Sequence, residues 1–253
     1  MGSIPPIDRS GAGDRAGAGD RAGEADRSEA EEIERLAEEL RRVGRRLGAR
    51  GLLAADDGNL SARCPDGTIW ITASGCRQDE LTRADLVRVD AGGRIVEDAG
   101  FGARPSSEMP LHLAVYRWRP EIGAIVHAHP PVATGYAIAH RPIRDDALVE
   151  AAAALGPVPV VPYARPGTEE AVAAAEPFAR RHWAFLLANH GAVALGRDPE
   201  DAERRMERLE QVASALLTAR LLGGIHPLSP HERAALVERD PTDQEGPGWP
   251  RKA

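Results

Sequence analysis

Cysteine is nearly absent: Cys64 and Cys76 are the only two in 253 residues, with eleven residues between them, so neither a disulfide framework nor a CxxC motif can be built. No stretch approaches the roughly 20 apolar residues that span a bilayer. The start, Met1 followed by Gly, Ser, Ile and two prolines, lacks a basic-then-apolar signal region. There is also no basic block. The 32 Lys and Arg against 39 Asp and Glu leave a net charge of −7, the wrong sign for tracking a phosphate backbone. These absences predict a protein of a reducing cytoplasm, with neither a membrane nor a nucleic acid as partner. What is present is a 42% hydrophobic chain able to bury one sizeable core, and eight histidines, the side chain most used as a neutral metal ligand.

Residues 1–27 repeat Gly-Ala-Gly-Asp-Arg-Ala and carry hardly any apolar side chain, which predicts a disordered tail. Ser28 with Glu31 three residues on reads as a capping box, and Ile33, Leu36, Ala37, Leu40, Val43 and Leu47 recur at helical spacing, predicting a helix over 28–49. Short β-type runs at 59–63, 68–73, 86–90 and 94–97, punctuated by Pro65-Asp66-Gly67 and Ala91-Gly92-Gly93, read as antiparallel hairpins. Beyond them the pattern predicts helices at 107–118, 132–139, 145–155 and 169–181, and strands at 124–128, 158–161, 184–188 and 192–195. A long helix follows, capped by Asp198 with Pro199 at its first position, its apolar stripe being Ala202, Met206, Leu209, Ala213, Leu216 and Leu217. Residues 239–253 read as a loose tail, leaving 28–238 as one domain. Early antiparallel strands and later alternating helices predict an α/β/α sandwich around a mixed, largely antiparallel sheet.

His127-Ala128-His129 ends an apolar strand, and side chains two apart on a strand share a face. His190, in Asn189-His190-Gly191 at the end of another strand, is a third candidate. Three imidazoles with an open fourth position make a catalytic divalent site, zinc being favoured by nitrogen ligands. An HxH pair alone fits equally a pair in which one ring is exposed and the other hydrogen-bonded in the core. Pro105-Ser106-Ser107-Glu108 opens a predicted helix with two hydroxyls and free backbone amides, suited to a phosphate but also to an ordinary cap. Asp57-Gly58-Asn59-Leu60-Ser61 and Thr72-Ala73-Ser74-Gly75 are small polar loops that read first as turns.

Taken in order, Gly58 to Arg63, Ile71 to Gly75, Pro105 to Glu108 with His112 and Tyr116, Val126 to Pro130, and Asn189 to Gly191 with Gly196 resemble the class II aldolase/adducin family over about residues 30–225. The nearest enzyme type in that resemblance is the L-fuculose-phosphate-like aldolase. It implies that His127, His129 and His190 hold zinc, with manganese or cobalt as substitutes, and that Glu108 touches the metal at rest and moves off to act as acid/base. Asn59, Ser74, Gly75, Ser106 and Ser107 would hold the phosphate of a ketose 1-phosphate cleaved to dihydroxyacetone phosphate and an aldehyde. A homotetramer with its site at a subunit boundary is implied too. Two departures stand out. Leu148 occupies the place of the family's catalytic tyrosine and carries no proton to give, which would leave Glu150 or a neighbouring subunit to supply one. Asp56 and Asp57 bring negative charge to the expected phosphate pocket. Other members of the fold dehydrate a thioribulose phosphate or decarboxylate a sugar acid. Adducin-like heads are binding modules lacking the metal histidines, and the three histidines here argue against that class.

Overall fold

The computed structural model describes residues 16–98 and 102–237. Eight strands form one sheet: β1 (Asn59–Arg63), β2 (Ile69–Thr72), β3 (Leu86–Val89), β4 (Ile95–Glu97), β5 (Ala124–Ala128), β6 (Val160–Val161), β7 (Ala184–Leu187) and β8 (Gly191–Gly196). Their spatial order is β4-β3-β2-β1-β5-β8-β7-β6, antiparallel throughout except for the β6–β7 pair. The seven α-helices among the described residues are α1 (Ala16–Ala49), α2 (Met109–Trp118), α3 (Pro131–Ile138), α4 (Val149–Ala154), α5 (Glu169–Ala179), α6 (Pro199–Leu221) and α7 (Pro230–Val237).

The central strands β5, β7 and β8 are covered on both faces, so their sequences are mostly apolar, yet successive residues go to different layers. Leu60, Trp70, Val126, Leu186 and Ala194 face one core with Leu36, Leu40 and Val43 of α1 and with Met206 and Leu209 of α6. Ile71, Val87, Ile125, Phe185 and Val193 face the other, with Leu111 and Val115 of α2 and Ala175 of α5. Helices on both sides of a mixed, largely antiparallel sheet make the α/β/α sandwich that the sequence pattern predicts. Each large apolar side chain taken fully from water contributes roughly 1.5–3 kcal/mol.

Several boundaries differ from expectation. Helix α1 begins at Ala16, so Ser28 is an interior residue and not an N-cap, and residues 16–27 of the expected disordered tail are helical. No proline interrupts Ala16 to Ala49, and the Ala, Arg and Glu content outweighs the glycines. Residues 1–15 and the expected C-terminal tail from 239 lie outside the described residues. Helix α4 starts at Val149 rather than 145, and α2 at Met109 rather than 107, because residues 106–108 turn ahead of it. In α6 the stripe takes Val212 inside and leaves Leu217 42% exposed. Helix α7 is unforeseen, although Ser229 and Glu232 cap it reciprocally around Pro230. No described helix is long and apolar enough to cross a membrane.

One tie across elements fixes the region after His129. The Glu210 carboxylate, on α6, accepts the Val132 and Ala133 N–H groups at 2.9 and 2.8 Å, filling two orphan donors of α3 and meeting its positive end. Glu210→Ala should therefore cost about 1–3 kcal/mol through unsatisfied amides. A lowered urea midpoint with an unchanged denaturant slope is the expected reading, with Glu210→Gln less affected.

Candidate metal centre

Strand β5 lies between β1 and β8, and its register puts His127 opposite Asn59 on one side and Val193 on the other. His129 follows just past the strand end, and His190 sits in the turn joining β7 to β8. That turn is tight: Asn189 holds a left-handed backbone (φ 57°), its side-chain oxygen accepting from His140 Nε2 at 2.7 Å, and the His190 N–H reaches the Leu187 carbonyl at 3.0 Å. Gly191 lets the rings meet. A Cβ there would lie 2.4 Å from Cδ2 of His129 and 2.7 Å from the Ala128 carbonyl. Gly58 (φ 82°) is constrained alike, since its Cβ would fall 2.5 Å from the His127 carbonyl oxygen.

The three histidines offer ligand atoms all within 4.8 Å of one another. His127 Nδ1 lies 3.0 Å from the Ala192 carbonyl, which can only accept, so Nδ1 carries the proton and the lone pair of the neutral ring is on Nε2. Nε2 of His129 is buried with no hydrogen-bond partner, and Nε2 of His127 has only the Glu108 carboxylate within reach, at 3.0 Å. Buried polar atoms are rarely left so. A divalent cation is the chemistry that satisfies convergent imidazole lone pairs, so the residues fit such an ion.

Glu108 ends the loop before α2 with its side chain turned away from capping. Its Oε2 lies 3.0 Å from His127 Nε2, its Oε1 3.9 Å from His190 Nδ1, and Asn59 Nδ2 donates to it at 2.9 Å. Burial opposes the charge on Glu108, but the facing His127, His190 and Asn59 hold it far below the usual carboxylate range. Burial, with the charge of His127, takes His190 down to about 4 and lowers His129 as well. His127 goes the other way: burial disfavours its charge, and the Glu108 carboxylate overrides this. The result is a cluster in which the Glu108 anion faces His127 and favours its charged form, while His129 and His190 are held toward their neutral, ligating form.

Asn59, Ser74, Gly75, Ser106 and Ser107 line one cavity of about 290 Å³ together with Glu108, His129 and His190. All nine residues singled out in the sequence thus converge, His127 lying just behind as partner of Glu108. Ser106 accepts the Glu108 N–H at 3.3 Å, which shapes the loop before any ligand enters. Asp56 and Asp57 also line the cavity, and Asp57 Oδ2 sits 3.5 Å from His129 Nδ1. Leu148 and Glu150 do not line it: Leu148 packs half-buried against the α1/α6 core and Glu150 is exposed. Sequence reasoning missed Pro166-Gly167, which folds over Ser107 so closely that a Cβ on Gly167 (φ 75°) would lie 2.8 Å from the Ser107 carbonyl. The Pro-Gly dipeptide was the available signal.

Comparison with known proteins adds to this geometry. A family profile described as Class II Aldolase and Adducin N-terminal domain matches residues 38–217. The chain is 35% identical over 187 residues to a 3-oxo-tetronate 4-phosphate decarboxylase of Pectobacterium atrosepticum, covering 72% of this chain and 84% of that protein. It is 35% identical over 194 residues to a methylthioribulose-1-phosphate dehydratase of Methylococcus capsulatus, covering 71% and 91%. An L-fuculose 1-phosphate aldolase structure superposes with a TM-score of 0.74 at 32% identity, covering 80% of this chain and 94% of that one.

The Gly191 contact makes a direct prediction. Gly191→Ala must push the His129 ring aside, so divalent-metal affinity should fall at least about tenfold, as for other disturbances around metal ligands, while the fold persists. Isothermal titration with zinc under a chelator competitor checks it, and unchanged affinity contradicts the ring geometry.

Proposed function

The chain belongs to the class II aldolase and adducin family, and from that premise we propose that it is a divalent-metal-dependent lyase that decarboxylates a short phosphorylated 3-oxo sugar acid. Leu148 is the observation that carries this reading. Aldol cleavage releases an aldehyde whose oxygen must exchange a proton with the enzyme, and the family position for that tyrosine holds a leucine at the start of α4, away from the cavity lining. Loss of CO2 from a 3-oxo acid releases no such oxygen. The carbon–carbon pair moves toward the ketone, CO2 departs, and the vacated carbon takes a proton. The decarboxylase relative supports the same choice.

His127, His129 and His190 would hold the ion. When bound, a divalent ion supplies a Lewis acid for the charge that accumulates on the ketone oxygen. Glu108, at hydrogen-bonding distance from His127 and steadied by Asn59, is the group to move the proton. Ser74, Gly75, Ser106 and Ser107 would take the phosphate through hydroxyls and backbone amides, a neutral cradle beside the two aspartates. The reading includes zinc as resident metal, with manganese or cobalt accepted by the same imidazoles. It also includes a homotetramer in the cytoplasm, and Leu221 and Leu222, 80% and 83% exposed in the single chain, support association. A second reading, cleavage of a ketose 1-phosphate to dihydroxyacetone phosphate and an aldehyde, is favoured by the likeness to the fuculose-phosphate enzyme.

Carbon-13 NMR of the zinc-loaded protein with 3-oxo-tetronate 4-phosphate, methylthioribulose 1-phosphate and a panel of ketose 1-phosphates separates the reactions. Labelled CO2 from the first substrate alone is expected. An aldehyde or dehydrated product, with no CO2, overturns the assignment.

Replacing Glu108 by Gln tests the proton role. The variant should keep about one metal per chain and a native melting curve, while turnover drops on the order of a hundredfold, the lower range for acid/base groups. Exchange of the C3 hydrogen of dihydroxyacetone phosphate into deuterium oxide should slow in parallel, and wild-type exchange would remove Glu108 from the chemistry.

A further inference from the structure

Three buried polar residues on the far side of Glu108 have no part in the chemistry above. His112 and Tyr116 follow Glu108, the N-cap residue of α2, at four-residue intervals, so the two lie on one helix face directly below it. Asn59, Ser61 and Arg63 alternate along β1 and share one face of that strand. The two series match in step: four residues of helix climb about 6 Å, and two residues of strand advance about 6.6 Å.

They are joined rung by rung. Asn59 donates to Glu108 at 2.9 Å. Ser61 Oγ meets His112 Nδ1 at 2.7 Å and the Tyr116 hydroxyl at 2.8 Å. The Arg63 guanidinium donates to the Tyr116 carbonyl at 2.6 Å and lies 4.9 Å from the centre of the Tyr116 ring. Ser61, His112 and Tyr116 are each at most 3% exposed. Apolar side chains at these places would bury as well and need no partners, but they would fix α2 only by shape. Hydrogen bonds add direction, and a hydroxyl shared by two partners allows one height and one rotation of the helix.

We propose that Ser61, His112 and Tyr116 are positioning residues, a rack that sets the height and rotation of α2 and thereby holds the Glu108 carboxylate at its distance from the three imidazoles. The rack rests on the reading of Glu108 as the carboxylate of the metal centre. Its precision matters because a misplacement of about 1 Å can cost on the order of a hundredfold in rate.

The test compares Ser61→Ala and Tyr116→Phe with Val115→Ala, which trims the apolar side of α2 and removes no rung. Each protein is loaded with cobalt(II), whose visible bands report the ligand set without any substrate. Melting temperature and the hydrogen exchange rate at C3 of dihydroxyacetone phosphate are then measured. The rack variants should retain about one cobalt per chain, shift the visible bands and slow exchange about tenfold or more, whereas Val115→Ala lowers only the melting temperature. Should Ser61→Ala fail to fold, Tyr116→Phe, which keeps the ring, decides. Bands and exchange equal to wild type in the folded rack variants overturn the proposal, whatever happens to stability. Wild-type protein that binds cobalt but turns over no substrate defeats the decarboxylase reading alone, and the spectra still judge the rack. Wild-type protein that takes up no cobalt overturns both.

Discussion

The pairing of β5 with β1 on one edge and β8 on the other is the constraint from which the centre follows. A strand held on both edges cannot slip by one residue without turning its apolar side chains to the wrong layer. His127 is therefore fixed in depth and direction by the same registry that buries Val126 and Ile125. The neighbours then deliver their own groups by arithmetic. Asn59 arrives opposite His127, and the turn entering β8 delivers His190, with Gly191 leaving room for the His129 ring. The geometry of the candidate centre is a by-product of sheet registry, so it inherits the stiffness of the core.

Electrostatics divides the cavity into two unlike halves. Around Glu108 a buried anion faces imidazoles, and burial keeps His129 and His190 from taking protons, which leaves nitrogen lone pairs free. Toward Ser74 and Ser107 the walls are hydroxyls, amides and a glycine with positive φ, together with the Asp56 and Asp57 carboxylates. On the proposed reading, an anionic ligand entering that half would gain its attraction from dipoles and from an ion held by the histidines rather than from lysine or arginine, which are absent from the lining. Binding of anion and metal should accordingly be interdependent.

Much of this was legible in the sequence because it is written in short-range periods. The apolar run Ala124–Ala128 announced a buried strand with two histidines at its end, and the stripe from Ile33 to Leu47 announced a helix whose named residues are all buried. Ends of elements were harder to read, since they depend on competition between neighbours. Ser28 and Glu31 have capping-box spacing, but nothing upstream stops the helix, so the box is idle. Ser229-Pro230-His231-Glu232 has the same spacing and works, because the proline before His231 cannot extend a helix backwards. Leu217 shows the limit of period: Val212, Ala213 and Leu216 lie on the face of α6 that packs on β8 and α1, and Leu217 falls outside it, a fact of tertiary packing. The convergence of Asn59, Ser74 and Ser107 on one cavity was beyond any periodic signal. Only the order of motifs along the chain anticipated it.

Leu148 opens α4, a six-residue helix that stands apart from the strands carrying the imidazoles. On the proposed reading, metal retention and leaving-group chemistry would be written into separate parts of the chain, one in the sheet and the other in a short segment outside it. Such a division lets the reaction diverge among descendants by substitutions that leave the sheet untouched.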